Sequence, residues 1–152
     1  MNSIRTSITA IASLLCMAAT TSTFAADAGG RHIVSHKGDC QLTVPNDWKV
    51  DTLLKGSASA PGDTASAVIS SDEDYKALAE IKPIIQLSLI PVKTIEDSPQ
   101  RLWYQYKTDG QGTGWYVGVP GKGVICGAQI GFKHPAMADL AKKIALSVGP
   151  TP

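Results

Sequence analysis

The stretch Arg101–Phe132, RLWYQYKTDGQGTGWYVGVPGKGVICGAQIGF, decides the fold. Leu102, Tyr104 and Tyr106 alternate with Trp103, Gln105 and Lys107. Trp115–Val119 follows, and then Val124–Phe132. In the last run Val124, Cys126, Ala128, Ile130 and Phe132 share one face, while Gly123, Ile125, Gly127, Gln129 and Gly131 share the other. A period of two is the signature of β-strands with one apolar face. Glycine turns at Asp109–Gly114 and Pro120–Gly123 separate the runs, so the stretch predicts three antiparallel strands.

The chain has 152 residues, a length that suits one domain. Its start predicts a secretory signal peptide over residues 1–25. Arg5 stands in a polar n-region, Ile8–Ala19 is the apolar run, and Thr23-Phe24-Ala25 is a cleavage site, with a second register at Ala26-Asp27-Ala28. The apolar run is about 12 residues, short of the roughly 20 that cross a bilayer, so no stable membrane anchor is expected. Lipid attachment at Cys16 is the weaker alternative, since Leu15 fills the small-residue position badly. Residues 26–30 read as a flexible leader and residues 31–149 as a single domain.

Removal of residues 1–25 takes Arg5 from the 14 basic residues and leaves 13 against 13 acidic ones. That balance argues against nucleic acid or an anionic membrane as partner. Of the three cysteines, Cys16 leaves too. An exported chain with two cysteines is expected to join them, Cys40 to Cys126. Cys40 shares a strand face with Leu42 and Val44, as Cys126 does with Val124 and Ala128, so both point to the core by independent patterns.

Arg31–His36 and Cys40–Val44 flank the turn signal Lys37-Gly38-Asp39 and predict a β-hairpin. Pro45 breaks the second strand, and Trp48 closes an edge of the core. Leu53–Asp63 reads as an exposed loop and Ala65–Ser70 as a short strand. Ser71-Asp72-Glu73-Asp74 has capping-box spacing and predicts a short central helix that Pro83 ends. Ile84–Ile90 then reads as a strand, with a Pro-kinked continuation of the helix as the alternative. Pro91–Gln100 is a connection. Pro135 opens a final helix whose apolar stripe is Met137, Leu140, Ala141, Ile144, Ala145 and Val148. The expected fold is α+β: a single antiparallel sheet, a C-terminal helix on one face, a shorter central helix, and one disulfide.

No catalytic spacing stands out. His32 and His36 lie about 13 Å apart along an extended strand, too far to share a metal ion. No Gly-x-Ser-x-Gly elbow is present. Gly110-Gln111-Gly112-Thr113-Gly114 is followed by a strand, so the helix N-terminus of a phosphate loop is missing. No cofactor, metal or catalytic residue is expected. The candidate binding surface is the reverse face of the three strands, a trough floored by Gly123, Gly127 and Gly131 and rimmed by Trp103 or Tyr116, open to a peptide strand or small ligand. A packed helix there, or glycines that merely permit twist, is the alternative.

Cys40–Trp48, with its Val-Pro-x-x-Trp bend, the central helix, the Trp103–Phe132 strands and the closing Pro135–Val148 helix together resemble the PsbP-like fold group in layout. That group contains many small exported bacterial proteins. The resemblance implies a non-catalytic binding or assembly factor and carries over no ligand residue. The expected function is an exported, periplasmic or secreted, non-enzymatic binding or envelope-assembly module for an unknown protein or small ligand. The alternative is an inhibitor or immunity protein that blocks a partner enzyme with an exposed loop, Leu53–Asp63 or Asp109–Gly114.

Overall fold

A computed structural model describes residues 29–110 and 112–152. The signal-peptide and cleavage expectations, Cys16, and the leader residues before Gly29 lie outside the described residues. The elements in chain order are β1 (Arg31–Val34), β2 (Cys40–Val44), β3 (Lys49–Val50), β4 (Ser57–Ser59), β5 (Ala65–Asp72), α1 (Leu78–Leu89), β6 (Lys93–Asp97), β7 (Leu102–Lys107), β8 (Thr113–Pro120), β9 (Ile125–Phe132), α2 (Ala138–Leu146) and β10 (Gly149–Pro150).

The fold is α+β with antiparallel pairing, but it has two sheets where a single one was expected. Seven strands in the order β3-β4-β5-β9-β8-β7-β6 form the main sheet, and β1-β2-β10 form a second. The β1–β2 hairpin does not add to an edge of the main sheet. Its second strand has β1 on one side and Gly149-Pro150 on the other, so a segment just past the last helix completes the small sheet.

The three strands of Arg101–Phe132 sit in the middle of the large sheet, and the alternation read from their sequence sets both faces. Trp103 lies opposite Val117, which lies opposite Ala128. This face, with Cys126, Ile130 and Phe132, packs against Cys40, Leu42 and Val44 of β2 and Ala141, Ile144 and Ala145 of α2. Cys40 and Cys126 join across it as a disulfide, with Cα atoms 5.4 Å apart. Trp115 meets Trp103 and Phe132 edge-to-face at centroid distances of 5.2 and 5.0 Å, contacts worth about 0.5–1.5 kcal/mol each beyond area burial. The other face carries a smaller core: Leu102, Tyr104, Tyr116 and Ile125 under Leu78 and Ile81 of α1.

The central helix differs most from expectation. Ser71 and Asp72 complete β5 instead of capping a helix, and the Asp72 carboxylate accepts the Asp74 amide in a local turn. Ala77 stands at the helix start without a side-chain cap, while Glu80 reaches back to accept the Lys76 amide. The helix then runs through Pro83 to Leu89, so Ile84–Ile90 is not a strand. Proline gives up one amide bond, and the inward residues Leu78, Ile81, Ile85 and Leu89 offset it by packing on the sheet at helical spacing. At 12 residues against 9, α1 is the longer helix, not the shorter. The expected loop Leu53–Asp63 contains β4, and the expected connection Pro91–Gln100 contains the edge strand β6. The last helix begins as a tight turn at Pro135–Met137, and α2 follows.

Candidate functional site

The glycine face is only partly a trough. A Cβ on Gly127 would lie 3.2 Å from the Tyr116 hydroxyl, and one on Gly114 would overlap the Tyr106 ring. The chain's own tyrosines therefore lie across the glycines, and the Tyr106 hydroxyl donates to Gln129 Oε1 at 3.2 Å. Tyr116 is buried there, and burial raises its phenol pKa well above the usual value. Gly131 keeps the open floor, since a Cβ there would meet only Ser66 Oγ at 3.4 Å. Of the five predicted surface residues, Tyr116, Gly127 and Gly131 come together. Trp103 does not join them: it is buried on the opposite face, in the disulfide core. Gly123 lies in the turn before β9, where its carbonyl accepts from Lys76 Nζ.

Two other surfaces stand out. The first is the outer side of α1. The run Ile84-Ile85-Gln86-Leu87-Ser88-Leu89-Ile90 holds more apolar residues than one helix face can bury. Ile85 and Leu89 go inward, which leaves Leu87 82% exposed and Ile90 76% exposed, with Ile84 and Val92 beside them in sequence. Ile90 ends the helix at φ 48° and ψ 69°, the left-handed region. A β-branched residue is strained there by about 1–3 kcal/mol, and such strain concentrates at functional positions. At the other end of the helix, Lys82 pairs with Asp97 of β6, which raises the lysine pKa.

The second is the hairpin tip Asp51–Gly56 between β3 and β4. The Asp51 carboxylate accepts the amides of Leu53 and Leu54 at 2.8 and 3.0 Å, and these bonds lower its pKa. The tip is thereby ordered, yet Leu53 is 95% exposed and Leu54 57% exposed. Gly56, at φ +82°, passes so close to β1 and β5 that a Cβ would sit 3.1 Å from the Val34 carbonyl oxygen and 2.6 Å from that of Ile69. Between the tip and β1 lies a groove of about 470 Å³, lined by Arg31, Val34, His36, Val50, Asp51 and Lys55 among others. A second depression, about 460 Å³, lies among Val92, Gln105, Tyr106, Lys107, Gly112 and Thr113.

The sequence held a signal for both surfaces: an overfull apolar run in one case, and a leucine pair two residues after an aspartate in a turn in the other. His32 bonds Thr43 Oγ1 through Nδ1 at 3.1 Å. Among the described residues, no group of three or more histidine, cysteine, aspartate or glutamate side chains is placed to hold a metal ion, and no helix is long and apolar enough to cross a membrane.

No known family matches the chain, and no curated protein does. A solved structure from Bacteroides thetaiotaomicron VPI-5482 is similar, with a TM-score of 0.56 and 12% identity over 81% of this chain and 49% of that one. The chain spans about half the length of that protein, and the likeness is one of fold alone.

Proposed function

We propose that the protein is an exported, non-enzymatic binding or envelope-assembly module, periplasmic or secreted, released by removal of residues 1–25. The carrying observation is the uncovered apolar side of α1, with Leu87 and Ile90 in solvent and Ile90 in a strained backbone conformation. Apolar groups held out on an ordered element favour a protein partner with an apolar surface of its own. The buried Cys40–Cys126 disulfide supports an oxidising compartment. Kinship with the PsbP-like group remains part of this proposal. The experiment is capture from envelope extract by the wild type and by Leu87→Asp. A partner held by the wild type and lost with the variant supports the reading; identical recovery contradicts it.

A second reading, an inhibitor or immunity protein, is favoured by the Leu53-Leu54 tip. A rigid loop with two exposed leucines has the form of a plug for an enzyme cleft. In that case Leu53→Asp, and not Leu87→Asp, abolishes capture of the partner.

A further inference from the structure

We infer that the groove between the outer edge of β1 and the Asp51–Gly56 tip is a second binding site, which takes an extended acidic segment of a partner protein as an added β-strand. It lies on the opposite face of the main sheet from α1, so it stands or falls apart from the helix surface.

The backbone argument comes from register. Ser35 donates to the Cys40 carbonyl, and Arg31 and Ile33 pair with Val44 and Leu42 in the same alternating set. In an antiparallel ladder the residues between these, His32 and Val34, turn their amides and carbonyls away from the partner strand. In β1 they turn toward the groove, because among the described residues β1 is an edge of its sheet. Gly56 lies against the Val34 carbonyl, so the groups left open to an added strand are the His32 amide and carbonyl and the Val34 amide. The edge is four residues long, about 14 Å at roughly 3.4 Å per residue, enough for a short peptide strand. Edges that proteins protect carry a proline, a bulge or a dense row of charge. The edge strand β6 follows Pro91 and has an irregular register between Thr94 and Glu96; β1 has neither feature and carries one fixed charge, Arg31, among its four residues.

The charge argument selects an acidic occupant. Arg31 and Lys55 are cations on the two sides of the groove, and His32, His36 and Lys37 also line it. Lys37 is paired with Glu73. Asp51 is the one carboxylate among the described lining residues, and its Oδ1 accepts the Leu53 and Leu54 amides. The whole chain carries only +1 at pH 7, so the positive character is local. Exposed Val34 supplies apolar contact for alternate side chains of the added strand.

The test uses a fluorescent Glu-Val-Glu-Val-Glu-Val peptide, read by anisotropy and by amide shifts of the isotope-labelled protein. Saturable binding is expected, weakened by salt, with shifts at His32, Val34 and Lys55. Binding falls at least about tenfold for the doubly substituted Arg31→Glu/Lys55→Glu protein, for the Lys-Val counterpart peptide, and for the acidic peptide N-methylated at alternate residues. Both substituted side chains are exposed, so an unchanged thermal melt verifies folding. No saturation by about 1 mM, equal affinity for the N-methylated peptide, or shifts confined to α1 each overturn the inference.

Discussion

Removing the Cys40–Cys126 crosslink should cost about a third or more of the stability expected for a domain of this size. The two cysteines are 86 positions apart in sequence. In the chain-entropy treatment, closing such a loop removes about 4–5 kcal/mol of freedom from the unfolded chain, against a typical total of about 5–15 kcal/mol. Near 120 ordered residues, each kcal/mol moves the melting temperature by about 3–5 °C, so reduction lowers it by about 15–20 °C. With a urea slope of about 1.5 kcal/mol/M, the midpoint falls by about 3 M. The assay is urea unfolding of the wild type with and without reductant, which separates the crosslink from the loss of two fully buried sulphurs that a Cys40→Ala/Cys126→Ala variant adds. The oxidised protein should also show the smaller slope, because its crosslinked unfolded state exposes less surface. Coincident midpoints would refute the reasoning, as would two reactive thiols in unreduced, denatured protein.

Gly127→Val drives a branched side chain into the Tyr116 hydroxyl and should cost about 1–3 kcal/mol by urea unfolding, whereas Gly131→Ala, whose Cβ makes only an ordinary contact with Ser66 Oγ, should change stability by less than about 0.5 kcal/mol. Ile90→Asn places a residue tolerant of the left-handed region at φ 48° and should stabilise the chain by about 1 kcal/mol; a loss of stability would argue against backbone strain there. The Ser35 hydroxyl donates to Asp39 at 2.7 Å and holds that carboxyl below its ordinary 3.8. Asp39 therefore contributes stability that is fully present above pH 3.8 and lost as pH falls through its lower folded value. The deficit of Asp39→Asn against the wild type should be constant near neutrality and shrink in acid; a deficit that grows in acid would reverse the assignment.

Much of the fold was legible because strand alternation leaves a simple trace. The partition of Val124–Phe132 into a core face and a glycine face held residue by residue, and it placed Cys126 opposite Cys40. Ala141, Ile144 and Ala145 of the expected helix stripe pack inward, and Val148 joins them from beyond the helix end at Leu146. What escaped reading depended on tertiary packing. Ile85, Leu87 and Leu89 alternate like a strand, yet Ile81, Ile85 and Leu89 also fit a helix, and the second pattern won because a sheet face with Leu102 and Tyr104 was there to receive it. Ser71 had the right spacing for a cap, but pairing with Cys126 across β5 and β9 took it into the sheet. Gly127, Gly131 and Tyr116 share one sheet face, as strand alternation requires. Trp103, expected with Tyr116 as a rim of the glycine trough, lies on the opposite face, because alternation within a strand tells which residues share a face but not which side of the sheet they take. The exposed leucines of the Asp51–Gly56 tip were folded into a broad loop, since composition does not tell an ordered tip from a slack one.

Parallel capture from envelope extract by the wild type, Leu87→Asp and Leu53→Asp is the most direct measurement of what the protein does. A partner recovered by the wild type and by Leu53→Asp, and depleted at least about tenfold with Leu87→Asp, is the expected result. Recovery of the same proteins by all three would contradict a binding role for the outer face of α1.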